Sequence, residues 1–351
     1  MASSTEILYP RAGKDYPRNF AEFLAWFPDE NACRDYLDWL RWPNGFLCPH
    51  CAGLQGWRLT DGCWWCGQCR CRVSVTAGTV FHRSQTPLSV WFAAAWLMTA
   101  AKNGVSAKTL HRLLGFGSYQ TAWALLHRLR SAMVRPGRER LSGVVEVNEM
   151  FIGGVRPGKR GRGAAGKVLV AVAVEQIAPM GFGRCRLQVI PNTESATLRT
   201  FLQEHVELGS HILTDGLSAY SGAILTDYMH NSRPVKGSGR KAHELLPGVH
   251  RVASLVKRWL LGTHQGAVEA DHVQAYLDEF TFRFNRRRSR ARGMLFYRLL
   301  QYAVQSNPVP YKALVKNASP RTDEEKKPKP TNSRRTSPPS LRLQVSQHPW
   351  R

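Results

Sequence analysis

"VVEVNEMFIGG", residues 144–154, is the stretch on which the fold turns. Its valines, Met150, Phe151 and Ile152 form an apolar, β-rich run that ends in a Gly-Gly pair, the pattern of a buried strand entering a turn. Such a strand could be core throughout. Instead it carries Glu146, Asn148 and Glu149. Side chains alternate across a strand, so Glu146 and Asn148 share one face and Glu149 points to the other. A polar group in an apolar layer is costly without a partner. Three of them at the end of one strand therefore raise the question of what they bind.

The segments downstream build a sheet around this strand. A basic, Gly-rich loop, "VRPGKRGRGAAG" (155–166), leads to the apolar run "KVLVAVAVEQ" (167–176) and a third strand, "CRLQVIP" (185–191). "TESATLRTFLQEHV" (193–206) reads as a helix, with Thr193 as a candidate cap. "SHILTDGLSAYSG" (210–222) is a strand ending at Asp215, where Gly216 opens a turn into another helix. After a polar loop rich in Lys and Arg, "GVHRVASLVKRWLLG" (248–262) and "EADHVQAYLDEFTFRFNRR" (269–287) are amphipathic helices. Three strands, a helix, a fourth strand and then helices describe an α+β domain with a mixed sheet, spanning 142–305.

Upstream the texture differs. "FAEFLAWFPDENACRDYLDWLRW" (20–42) shows helical apolar spacing, divided by Pro28 into two short helices. Two CxxC pairs follow, Cys48 with Cys51 and Cys66 with Cys69, set among short aromatic-rich strands. Four thiolates on two such knuckles suit the tetrahedron of a structural zinc ribbon, so residues 20–82 form an N-terminal helical and ribbon unit. Cys63 and Cys71 lie close enough in sequence for either to replace a neighbour as ligand; Cys33 and Cys185 read as small buried hydrophobes. Residues 87–134 are helical throughout, and "SAKTLHRLLGFGSYQTAWALLHRLRSAM" (106–133) has the helix, Gly-containing turn and second helix of a helix-turn-helix. The polar positions of that second helix, Tyr119, Gln120, His127, Arg128 and Arg130, are candidates to meet DNA. A helical hairpin that only packs on the next domain is the plainer alternative. "RPGRER" (135–140) reads as a linker. The tail, 313–351, is rich in Pro, Lys, Arg and Ser, has little apolar surface to bury, and is expected to be disordered.

Composition narrows the partner. Among 351 residues, Lys and Arg number 49 against 25 Asp and Glu, a formal net charge of +24. Basic residues recur through the folded segments as well as the tail, which points to nucleic acid rather than a solubilising tail alone. "MASSTEILYPRAGKDYPRNF" lacks the apolar core of a signal peptide, and the longest apolar run, "VWFAAAWLMTAA" (90–101), is too short to span a bilayer. Six of the eight cysteines crowd between 48 and 71, which favours metal over disulfides in a chain without an export signal.

The candidate chemistry follows from the strand ends. Metal-dependent phosphodiester chemistry needs oxygen and nitrogen ligands from separate segments, converging to hold divalent cations. Asn148 and Asp215 are placed to converge, Asp215 more persuasively, since a carboxylate at the lip of an apolar strand needs a partner. Taken alone, Asp215 also suits a surface turn that caps the next helix.

"VVEVNEMFIGG", "ILTDGLSAY" and "VHRVASLVKRWLLGTHQG…HVQAYLDEFTFRFNRR", following the cysteine ribbon, resemble bacterial insertion-sequence transposases of the zinc-ribbon, DDE-type (ISXO2-like) group, over roughly residues 20–300. The resemblance implies an RNase H-like nuclease domain that binds double-stranded DNA at the element's terminal inverted repeats and at the target. It further implies hydrolysis at the element end, then attack of the freed 3′-hydroxyl on target DNA, with Mg²⁺ or Mn²⁺ as catalytic cofactor. A homo-oligomer on DNA and a bacterial cytoplasmic, nucleoid-associated location go with it. The group's first acidic ligand falls at Asn148, its second at Asp215, its third, variable among Glu, Asn and His, at His250, and a helix lysine at Lys257. The spacing from His250 to Lys257 is about two helical turns, so both lie on one face. Lys257 and Arg258, with Lys159 and Arg160 of the Gly-rich loop, Arg128 and Arg130, and Arg286 and Arg287, are the expected phosphate contacts. The chain departs from the group at the first ligand: Asn148 stands where the pattern has Asp. An amide oxygen brings no charge, His250 is neutral, and Asp215 is then the one carboxylate among the three, so metal affinity is expected to fall. Glu146, on the face of Asn148, is the nearest candidate to compensate. The alternative is a catalytically inactive, transposase-derived DNA-binding protein.

Overall fold

The computed structural model describes residues 9–153, 167–179, 181–220, 226–266 and 268–316. Pro28 does separate two helices, Phe20–Trp26 (α1) and Glu30–Arg41 (α2), and Asp29 caps the second by accepting from the Ala32 N–H at 2.8 Å. Gly56–Arg58 (β1), Trp64–Cys66 (β2) and Arg72–Val73 (β3) form a three-stranded antiparallel sheet. The stretch expected to be helical throughout is three helices, Leu88–Ala100 (α3), Ala107–Leu114 (α4) and Tyr119–Ser131 (α5). Gly115 ends α4 at φ +64°, a left-handed position that suits a residue without Cβ, and the Ser118 side chain caps α5. The helix-turn-helix connection therefore has its own local chemistry.

The second sheet contains Val144–Ile152 (β4), Val168–Gln176 (β5), Phe182–Val189 (β6), His211–Thr214 (β7) and Met229–Ser232 (β8), in the order β6-β5-β4-β7-β8. The first three strands are mutually antiparallel; β7 runs parallel to β4, and β8 parallel to β7. This is the RNase H-like arrangement. β8 lies where the sequence reads as a polar loop. All four of its residues are exposed, so no apolar alternation signals it, and it is held by backbone pairing to β7.

Helices cover both faces. Alternation along β5 sends Val170, Val172 and Val174 to one side, against Pro247–His264 (α8) and Val273–Asn285 (α9), and Ala171 and Ala173 to the other, against Ser195–His205 (α6). A short helix, Ala242–Leu245 (α7), precedes α8. Thr193 is not the cap of α6: Glu194 occupies that position without a side-chain bond, and Asn192 accepts from the Glu194 N–H and the Thr197 hydroxyl instead.

Gly293–Ala303 (α10) crosses the expected domain boundary. It buries Leu295, Phe296, Leu299 and Leu300 among α1, α2, α3 and α5, not against the sheet. Phe296 sits 5.5 Å from the Phe23 ring, 5.7 Å from Phe27 and from Phe92, and 5.5 Å from Trp96. Residues from both ends of the described chain thus close one aromatic core, each buried ring adding about 2–3 kcal/mol of apolar burial. The expected tail begins inside a last helix, Tyr311–Lys316 (α11), and from residue 317 onward lies outside the described residues.

Candidate active site and zinc centre

The polar strand residues divide sharply in role. Glu146 is fully buried. Its Oε1 accepts from Gln176 Nε2 at 2.5 Å and its Oε2 from the Val249 N–H at 2.9 Å, with the Gly248 N–H also directed at the carboxylate. These are the orphan amides at the start of α8, where an anion is favoured by the helix dipole. Burial raises the Glu146 pKa, while the Gln176, Val249 and Gly248 donors work against that rise. Gly248 is required here, because a Cβ would stand 2.9 Å from Glu146 Oε2 and 3.0 Å from the Phe182 ring. Glu146 therefore clamps α8 to β4. It is not a spare ligand, which corrects the expectation that it could compensate for Asn148.

Two residues further along, the arrangement opens. β4 and β7 pair in parallel with Val144 opposite His211 and Glu146 opposite Leu213; continued by two residues, that register carries Asn148 opposite Asp215. Asp215 follows the carboxyl end of β7 and Asn148 sits in the middle of β4, both partly exposed. Asp215 Oδ1 accepts from the Leu217 N–H at 3.0 Å, holding the turn after β7, and Asn148 Oδ1 accepts from the Glu149 N–H at 2.8 Å. Glu149, on the opposite face, takes a 2.6 Å bond from the Tyr220 hydroxyl. Along α8, His250, Ala253, Lys257 and Leu261 line a cleft of about 750 Å³ together with Asn148, Glu149 and Lys167. His250 Nε2 is buried without a hydrogen-bond partner. Burial lowers the His250 pKa, the nearby His243 and Lys257 lower it further, and the Asp215 carboxylate draws it back up. The imidazole is thus neutral near pH 7, with a ring nitrogen free to ligate or to hold a proton.

The cysteines converge as the spacing predicts. The sulfurs of Cys48, Cys51, Cys66 and Cys69 all lie within 4.8 Å of one another, with Cys48–Cys69 and Cys51–Cys66 at 3.6 Å. Zinc–thiolate bonds of about 2.3 Å give tetrahedral edges of about 3.8 Å, so the quartet fits that ion. The two knuckles repeat each other: Ala52 and Arg70 follow the second cysteine at φ +57° and +56°, and donate to Cys48 O and Cys66 O at 2.9 and 3.0 Å. This repeated turn selects Cys66 and Cys69; Cys63 and Cys71 are outside the quartet. Phe46 and Trp64 stack above it at 4.9 Å. Cys33 and Cys185 are both fully buried, as small hydrophobes.

Residues 140–285 match the ISXO2-like transposase domain, and residues 28–72 match the transposase zinc-ribbon domain. The chain belongs to this transposase family. A search of curated proteins gives no match. The matched segments frame the two sites, the first running from just before β4 to the end of α9 and the second enclosing the cysteine quartet.

Several basic residues expected on the DNA-facing surface of the transposase are used internally. Arg130 is 1% exposed and its Nε donates to Glu279 Oε2 at 2.9 Å, with the guanidinium 4.1 Å from the Tyr276 ring. It joins α5 to α9 and cannot reach DNA. His127, in the same buried seam, is likewise enclosed, and burial pushes its pKa down to about 2. Arg128 is half-buried and donates to the Val309 carbonyl at 3.0 Å. Arg286 donates to the Phe282 carbonyl and the Tyr302 hydroxyl, and Arg287 to the carbonyls of Phe182, Gly183 and Phe284. Arg286 lies 4.0 Å over the Phe282 ring and Arg287 3.9 Å over the Phe284 ring. These are clamps between α9 and its neighbours. Lys257 and Arg258 are exposed or nearly so, as are Tyr119 and Gln120 at the start of α5. Lys159 and Arg160 lie outside the described residues. Sequence reasoning missed His243, Gln176 and Gly248. Only Gly248, beside Pro247 at a helix start, left a signal that could have been read.

Proposed function

We propose that this transposase binds duplex DNA at its element's terminal inverted repeats and performs strand cleavage and transfer at the cleft between the ends of β4 and β7 and helix α8. The reading is supported by the parallel register of β4 and β7, which extended by two residues sets Asn148 opposite Asp215, and by the cleft that Asn148 shares with His250 and Lys257 of α8. The working parts are the zinc ribbon, a helical module closed by α10, and the RNase H-like domain. The exposed start of α5 and the ribbon recognise the repeats, and two copies hold the two element ends together. No helix among the described residues is long and apolar enough to cross a membrane, and the nucleoid of the bacterial cytoplasm is the proposed setting.

The three matched side chains offer donors of the kinds that a divalent cation accepts. Asp215 supplies a carboxylate, Asn148 an amide oxygen and His250 a buried ring nitrogen with no other partner. An imidazole in a set with one carboxylate suits Mn²⁺ better than Mg²⁺. When bound, the cation supplies charge stabilisation at the phosphate and activates the attacking oxygen. Lys257 holds a DNA phosphate as a point charge. His250, neutral in the fold, is able to accept a proton at Nε2 when no cation occupies it. Glu146 keeps His250 and Lys257 at a set height above β4.

The commitment of Glu146 to α8 favours a second reading, in which the protein binds DNA without cutting it, because only one of the three matched positions is a carboxylate. Divalent-metal-dependent cleavage of terminal inverted-repeat DNA by the natural chain and by Asn148→Asp separates the two. Cleavage by both supports the active reading with Asn148 serving as a neutral ligand. Cleavage by the Asp variant alone identifies a disabled enzyme whose present role is binding. Cleavage by neither removes the nuclease assignment.

A further inference from the structure

A second basic pocket, of about 340 Å³, lies on the edge strand β6, two strands away from β4, between the 135–140 linker, α9 and α10. Six arginines line it. Arg184 is held by Glu175 and Arg135 by Glu139. The other four, Arg138, Arg186, Arg286 and Arg298, have no carboxylate partner among the described residues. Arg186 and Arg286 donate only to carbonyls and a tyrosine hydroxyl, Arg298 to the Gln301 amide, and Arg138 makes no hydrogen bond or ion pair among the described residues.

Such a cluster is unfavourable as it stands. Arg186 is 4% exposed, and burial together with the neighbouring Arg138 and Arg184 charges pushes its pKa down to about 10. The pocket's remaining acid, Asp278, accepts from Gln274, and its own pKa is raised by burial to about 6. It cannot balance four cations. In the same wall the buried Thr281 hydroxyl has no hydrogen-bond partner beyond the Cys185 thiol, a weak acceptor. Like-charged guanidiniums kept close in a recess, beside an unsatisfied hydroxyl, are completed by one kind of ligand: a multivalent oxyanion that accepts from several forks at once.

We propose that this pocket is a phosphate-binding site, occupied by a phosphodiester of the duplex. The source of the phosphate rests on the DNA-binding reading above; the site itself does not. The formal net charge of +24 makes a polyanion the expected source of that phosphate, and the proposed duplex is the polyanion this chain would meet.

The test measures binding of the intact chain to a mixed-sequence duplex by fluorescence anisotropy over a range of salt, because grip on a phosphate is independent of sequence. Arg138→Gln and Arg298→Gln should each lower the slope of log K against log salt by about 0.9 for every phosphate the variant no longer neutralises. Arg11→Gln, an exposed control, should leave the slope unchanged, and Arg138→Lys should restore most of it. In a parallel arm, inorganic pyrophosphate is titrated calorimetrically into the natural chain and both pocket variants. Abolished pyrophosphate binding in the variants with an unaltered DNA slope would keep the site and overturn DNA as its ligand. An equal fall in slope in the Arg11 control would reduce the effect to net charge and overturn the site. No change in either arm overturns it as well.

Discussion

The seam between α5 and α9 and the cleft beside α8 are built from the same residue types and differ in whether their charges are paired inside the fold. In the seam, Arg130 and Glu279 are both buried and bonded, Arg283 approaches Glu279 at 3.6 Å, and Tyr276 covers the Arg130 guanidinium. In the cleft, the His250 Nε2 has no partner among the described residues, Asn148 accepts only from the backbone amide that follows it in β4, and Asp215 from the Leu217 amide of its turn. The contrast recurs inside a single strand, where Glu146 is closed by three donors while Asn148, two residues on, faces the opening. Buried charges paired within the fold hold the modules together, even where single atoms such as Arg130 Nη1 and Glu279 Oε1 make no hydrogen bond, whereas partly exposed groups without a counter-charge mark where an outside partner enters.

That contrast can be broken by experiment. The largest effect is expected at the ribbon, a set closed only by its ion. Stripping zinc should unfold residues 28–72, since structural zinc contributes about 10–16 kcal/mol of apparent binding energy in comparable sites; disappearance of the Trp64 signal in near-ultraviolet circular dichroism would report it. A ribbon that keeps its fold after chelation would place it among the self-completing sets.

Next comes the seam. Glu279→Ala leaves Arg130 buried without its counter-charge and should cost about 3–5 kcal/mol in urea unfolding, whereas the joint change to Met at 130 and Leu at 279 should recover most of it. A cost below about 1 kcal/mol, on the scale of an exposed pair, would mean that water reaches the pair.

Glu146→Ala should cost about 1–3 kcal/mol by leaving the α8 amides unsatisfied. It should also lower cleavage in the Asn148→Asp background, because His250 and Lys257 ride on that helix. Unchanged cleavage with reduced stability would confine Glu146 to a structural role.

The smallest effect, for one histidine over one pH unit below about 6.5, is the pH dependence of the seam. An unfolded imidazole titrates near pH 6.5, while burial holds His127 at about 2 and His264 at about 3 in the fold. Between those values the unfolded chain binds more protons, so stability is complete above about pH 6.5 and declines as the pH falls. Each histidine contributes about 1.4 kcal/mol per pH unit in that window. Unfolding titrations of His127→Gln between neutral and mildly acidic pH should show the slope reduced by one histidine's share; an unreduced slope would show that His127 is hydrated.

Much of this was legible in the chain. The CxxC spacing identified the zinc ligands because a knuckle is a local turn, and the apolar, β-rich runs in 144–152 and 167–176 identified the sheet because a strand covered on both faces must feed two cores. Asp215 could be found because it ends an apolar strand. Other features left no such trace. β8 has no apolar face, α10 is an ordinary amphipathic helix whose partner lies near the other end of the sequence, and the arginines at 128, 130, 286 and 287 look like those of any basic helix.

By itself, then, the sequence determined the modules, the metal ligands and the order of the candidate catalytic positions, all of which depend on short-range spacing. Only the tertiary structure decided which charged groups face inward: that Glu146 caps α8, that Arg130 is spent on Glu279, and that four arginines meet in a pocket without counter-charges. The reason is physical. Periodicity says which face of an element is apolar, but whether a charge on that element is paired or open depends on what another element, a hundred residues or more away, brings opposite it.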